Sequence, residues 1–126
     1  MTKVKSTPAL FQMNKAYAGD QVKVINLAQR KPFSETAKAV ADVKRYPYYV
    51  DLLFLDSQFK QRIGTVQRVK LVDTTGLSKG QEFSIGVEGK SFVNGIARPW
   101  ANTRGSYTYI NVSCHADKIV DKKGSD

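Results

Sequence analysis

The chain has 126 residues, one domain's worth, with 20 Lys and Arg against 11 Asp and Glu, a formal net charge of +9 and a pI near 9.7. A hydrophobic share of 41% suits a packed core better than a disordered chain. No apolar run approaches the ~18–20 residues of a membrane helix, no apolar segment of a secretory signal follows Met1–Leu10, and Cys114 and His115, each the only one of its type, exclude a disulfide framework and a four-ligand zinc site.

In chain order, residues 1–20 read as a leader or arm ending in a Gly19-Asp20 turn. Its Phe11, Met13 and Tyr17 either lie along the core or serve a partner. Gln21–Leu27 alternates and is β-branched, which predicts a strand. A basic turn, Ala28–Phe33, leads to a short helix from Ser34 to about Arg45. Ser34 is its expected cap, Glu35 lies in its first turn, Lys44 and Arg45 in its last, and Pro47 stops it. Tyr48–Asp56 is a strand apolar on both faces, hence central or covered on both sides. Thr65–Val72 is another, with Arg68 and Lys70 on one face and Val69 and Leu71 on the other. Asp73–Gly80 is turn chemistry, and Glu82–Glu88 alternates with Phe83, Ile85 and Val87 inward. Gly89–Gly105 reads as loop-rich, with a short strand near Ser91–Asn94. Tyr107–Cys114 sends Thr108, Ile110, Val112 and Cys114 to the core and Tyr107, Tyr109, Asn111 and Ser113 outward. The expected class is all-β with one short helix, a small barrel or sandwich over residues 21–120, followed by a short polar tail at 121–126.

Two stretches combine positive charge with freedom from acids. Between Glu88 and Asp117 stand Lys90, Arg98 and Arg104, together with the single Trp100, Phe92, Tyr107 and Tyr109. Between Asp56 and Asp73 stand Lys60, Arg62, Arg68 and Lys70. Cations hold a phosphate backbone while aromatic faces stack bases, so these eleven residues are the candidate nucleic-acid-binding set. The plainer alternative is a tryptophan that plugs the core beside solvated charged faces. No carboxylate pair sits in a catalytic motif and no P-loop is present. Cys114 and His115 are neighbours that point to opposite faces of a strand, so no enzyme and no cofactor are expected.

The motifs Leu77-Ser78-Lys79-Gly80, Val87-Glu88-Gly89, Arg98-Pro99-Trp100 and Gly105-Ser106-Tyr107-Thr108-Tyr109, in that order, resemble the second half of bacterial-type single-stranded DNA-binding proteins. The resemblance covers residues 77–120 or so. It implies a five-stranded OB-fold-like barrel that binds single-stranded DNA without sequence specificity, with Trp100 stacking a base and Arg98 and Arg104 on the backbone. The family's acidic tail is not seen in Asp121–Asp126, and its N-terminal signature is not evident around Gln21–Leu27. These departures suit a divergent relative from a plasmid, conjugative element or phage, acting in DNA replication or conjugation in the cytoplasm. Relatives often assemble, so a homo-oligomer is left open. Two other readings stay beside this one: a small barrel for RNA or duplex DNA, and a structural or assembly component of a phage or conjugation machine. None of the three calls for a membrane.

Overall fold

The computed structural model describes residues 10–86, 89–104 and 107–121, with side chains at all of these except those within 101–110. The period-two apolar pattern of the chain is spent on strands. In order they are β1 (Phe11–Gln12), β2 (Gln21–Gln29), β3 (Tyr48–Asp56), β4 (Val66–Leu71), β5 (Glu82–Ser84), β6 (Lys90–Val93), β7 (Ile96–Arg104), β8 (Tyr107–Ala116) and β9 (Lys118–Asp121). Two helices interrupt them, α1 (Met13–Ala16) and α2 (Ala37–Arg45). Seven strands form one curled sheet in the order β1-β7-β8-β4-β3-β2-β5, and β6 pairs with β9 in a second. The class is all-β. No described helix is long and apolar enough to cross a membrane.

Burial follows strand parity. Val50, Leu52 and Phe54 of β3, Val69 and Leu71 of β4, and Cys114 and Ala116 of β8 meet Val22 and Val24 of β2 in one core. β2 reaches that core twice because it bulges. Val24 stands opposite Leu52 but Asn26 opposite Asp51, so Ile25 is an extra residue. The phase change sends Leu27 back onto the core and turns Asn26 to donate to the Asp51 carboxylate on the other face, at 3.2 Å. Cys114 behaves as a small hydrophobe: burial pushes its thiol up to about 11, against the opposing pull of a contact with the Tyr17 hydroxyl.

Several boundaries differ from those expected. The described part of the leader is partly built into the core: Met13 and Tyr17 are buried, the Tyr17 ring 5.4 Å from that of Phe54, while Leu10 and Phe11 stay exposed. Residues 1–9 lie outside the described residues. The cap of α2 is Thr36 rather than Ser34: the Thr36 hydroxyl accepts from the Ala39 N–H at 3.2 Å, and Ser34 only bonds the Thr36 hydroxyl. Glu35 therefore precedes the helix instead of lying in its first turn. β5 stops at Ser84, with Ile85 in an isolated bridge to Lys90, while Val87 and Glu88 lie outside the described residues. The loop expected over Gly89–Gly105 is mostly strand, β6 and then the nine-residue β7. Pro99 is accommodated there because, among the described residues, β7 is paired on its outer side only at Ile96 and Ala97, by β1.

The segment before β2 is tied down by the Asn14 side chain, which donates to the Phe92 carbonyl and accepts from its N–H, and by a charge pair. Asp20 is 1% exposed and accepts from Arg62 at 2.7 Å, while Arg62 also donates to the Ala16 carbonyl and lies over the rings of Tyr17 and Phe59 at 4.7 and 4.9 Å. Removing the cation leaves a buried carboxylate unpaired, so Arg62→Ala is expected to cost about 3–5 kcal/mol in urea unfolding, with part of the loss recovered when Asp20→Asn is added. A smaller effect locates the helix cap. Thr36→Ala should cost about 1 kcal/mol, and an equal or larger loss in Ser34→Ala would return the cap to Ser34.

Candidate nucleic-acid interface

The residues of β3, β4, β7 and β8 that turn away from the core form one outward strip. The parallel pairing of β4 with β8 sets Lys70 beside His115, and the antiparallel pairing of β7 with β8 sets Arg98 opposite Ser113 and Trp100 opposite Asn111. These side chains meet in an open cleft of about 440 Å³ lined by Lys70, Arg98, Trp100, Ser113 and His115. Trp100 is 46% exposed and does not plug the core. Its indole N–H donates to the Ser113 hydroxyl at 2.9 Å, which fixes the ring edge and leaves much of the ring uncovered.

The strip continues through Arg68, two residues before Lys70 on the same face of β4. Its guanidinium donates to both carboxylate oxygens of buried Asp51, at 2.9 and 3.1 Å, and stacks over the Tyr49 ring at 3.9 Å. The Arg68 side chain nonetheless keeps 59% of its surface. Burial pushes the Asp51 carboxyl up, but hydrogen bonds from Arg68 and Asn26 outweigh it and hold the group below its ordinary 3.8. The contribution of the ion pair is fully present above the ordinary value of 3.8 and is lost as the pH falls through the depressed native value.

α2 closes one end of the strip. Its Asp42 accepts from Arg30 at 2.7 Å and from Lys70 at 2.9 Å, and Tyr46, just past the helix, packs its ring 5.0 Å from that of His115. Burial, then the nearby charges of Arg45 and Lys70, hold His115 below its ordinary 6.5, with Asp117 and Asp42 opposing weakly. The lowered value favours the neutral imidazole near pH 7.

Of the residues expected from the sequence, Trp100, Arg98 and Lys70 line the cleft, and Arg68 lies on the adjoining face of β4. Arg104, Tyr107 and Tyr109 fall on β7 and β8, but their side chains lie outside the described residues. Phe92 is corrected: at 2% exposure it belongs to the core and has no ring face to offer a base. Lys90 is mostly covered and salt-bridged to Asp121, on the second sheet. Arg62 is engaged by Asp20, and neither it nor Lys60, on the turn after β3, lines the cleft. Ser113 faces outward as expected, whereas Tyr49 and His115 join the strip without having been candidates from the sequence. The alternation of Tyr49, Asp51 and Leu53 against Val50, Leu52 and Phe54 was the available signal for Tyr49, masked because both faces of that strand look apolar.

Compared with known proteins, the chain matches no family model, no curated protein and no solved structure.

The depressed His115 value makes a pH prediction. Between the native value and about 6.5 the unfolded chain binds a proton that the folded chain refuses, so stability rises with pH across that window and levels off above it. His115→Gln should remove this part of the slope in urea midpoints measured from pH 5 to pH 8. An unchanged profile would show that the imidazole is solvated in the native state.

Proposed function

We propose that this protein binds single-stranded DNA without sequence preference, along the outward face of β7, β8, β4 and β3, on a partly open five-stranded barrel of the OB kind. The observation that carries the reading is Trp100, held by Ser113 yet exposed beside Arg98, Lys70 and His115. A fixed, half-open indole within reach of two cations suits an unpaired base with its phosphates alongside. In a duplex the base faces are already stacked, so the same ring would have little to grip. The strand order supports the barrel. The five strands of six or more residues lie side by side as β2-β3-β4-β8-β7, a meander joined by one parallel pair to a final hairpin, and they curl.

Arg98 forms no ion pair among the described residues, so its charge is available to phosphate, whereas that of Arg68 is balanced by Asp51. Arg68 contributes instead as a flat, oriented cation on Tyr49.

Trp100 is the only tryptophan, so its fluorescence reports on the cleft alone. Titration with oligo-dT should quench it strongly, with a log–log salt slope of about −0.7 for each phosphate neutralised. Trp100→Ala should weaken binding by about 1–3 kcal/mol, and Arg98→Ala should make the salt slope shallower. Fluorescence indifferent to saturating oligo-dT would defeat the proposal. Competition by duplex DNA as strong as by oligo-dT would argue against stacking, and stronger competition by oligo-U would redirect it to RNA.

A further inference from the structure

A second open cleft, of about 520 Å³, adjoins the first on the side of α2, and Lys70 lines both. Its other walls are α2 and the loop before it. The loop contributes Phe33, whose exposure of 90% is the highest among the large hydrophobic residues described. An apolar ring so fully in water contributes almost nothing to the core, and its neighbours supply no cover. Lys38, Asp42 and Arg45 of α2 line the same cleft at spacings of four and three, which puts them on one helix face. The one acid among them, Asp42, is already engaged by Arg30 and Lys70, while Lys38 and Arg45 form no ion pair among the described residues. The wall is therefore positive on balance, with a bare aromatic at its rim, the same pairing of features as around Trp100.

We propose that the strand occupying the Trp100 cleft continues over Lys70 into this second cleft, where Phe33 stacks a further base and Lys38 and Arg45 hold the flanking phosphates. This rests on the reading of the first cleft as a single-stranded DNA site. Continuity decides the occupant. Lys70 stands at the junction, so the strand's phosphates pass it between the bases held on the Trp100 side and those further along on the Phe33 side. A linear polyanion with repeated aromatic faces meets both clefts with one chemistry.

The test moves the fluorescent reporter. In the Phe33→Trp, Trp100→Phe double variant the only tryptophan stands in the second cleft, and (dT)16 should quench it. In the Phe33→Ala variant, with Trp100 reporting, the ratio of (dT)16 to (dT)4 affinity should fall roughly 5- to 150-fold, the equivalent of one lost stack. Lys38→Gln should lower the same ratio and make the (dT)16 salt slope shallower. Quenching of Trp100 by (dT)16 in the wild-type protein, with none from the relocated tryptophan and an unchanged ratio in Phe33→Ala, overturns the second cleft and leaves the first standing. Equal losses for both lengths in Phe33→Ala also overturn it, since one disturbed cleft would explain them. Absence of Trp100 quenching in the wild-type protein removes the first reading and this one with it.

Discussion

The parallel pairing of β4 with β8 is the constraint on which the rest of the structure depends. Val69 lies beside Cys114, Lys70 beside His115 and Leu71 beside Ala116. In this register the four small and aliphatic side chains face the core and the two ionisable ones face out. A slip of one residue would bury Lys70 and expose Leu71, so the core itself fixes the register. Parallel strands need a long crossover, and here it carries β5, β6 and β7. Asp117, at the end of the join, locks it. Its carbonyl accepts from the Val72 and Asp73 N–H groups, its own N–H donates to the Val93 carbonyl, and its carboxylate accepts from Asn94 at 2.7 Å. One residue thus holds the ends of β4, β6 and β8 together.

What the pairing does for the outward face is bring together residues far apart in sequence. Arg98 and Trp100 come from one hairpin, Arg68 and Lys70 from a meander more than twenty-five residues earlier, and the β4–β8 register sets them side by side. The net charge of +9 does not pass undiminished to this face. Arg68 is balanced by Asp51, and Asp42 is shared by Arg30 and Lys70. These partly buried pairs gain little net stability once desolvation is counted, but they hold flat cations in one orientation. Among the described side chains, the positive field of the face therefore comes from Arg98 and the unmatched share of Lys70, with Arg45 beside it on α2, while Arg68 supplies shape.

How far the sequence revealed this varies with physical cause. β3 is found at Tyr48–Asp56 as expected, and the split of Arg68 and Lys70 from Val69 and Leu71 holds, because in both strands a period of two coincides with burial on one side. The sequence suggests a loop at β7 because Pro99 and Asn102 are poor signals for a strand interior. The edge position that excuses Pro99 is a property of the sheet, invisible locally. The bulge at Ile25 cannot be seen from one strand, since it exists only relative to β3. Phe92 was misplaced because its neighbours Lys90, Ser91 and Asn94 are polar. Its burial comes from pairing with β9, near Ile119. Phe33 follows Pro32 in a stretch with no periodicity, so nothing in the sequence separated a bare ring from a packed one. Trp100 could be weighed as exposed or buried from its polar surroundings, and only the fold decides the matter.

The aromatic positions also differ in how firmly they are held, and that has consequences for binding on the proposed reading. Trp100 has its ring edge anchored by Ser113 on a paired strand, and Tyr49 is clamped beneath a guanidinium that Asp51 grips at two points. Neither needs to be ordered when a base arrives, so little side-chain entropy is lost there. Phe33 sits on a loop with its ring in water and would lose rotamer freedom on stacking. The first base should therefore settle on the sheet and the strand then extend toward α2, with the loop adjusting last. Such an order makes the outer cleft the weaker partner, able to release while the inner one holds. That gradation suits a protein that must grip a flexible strand without fixing every nucleotide along it.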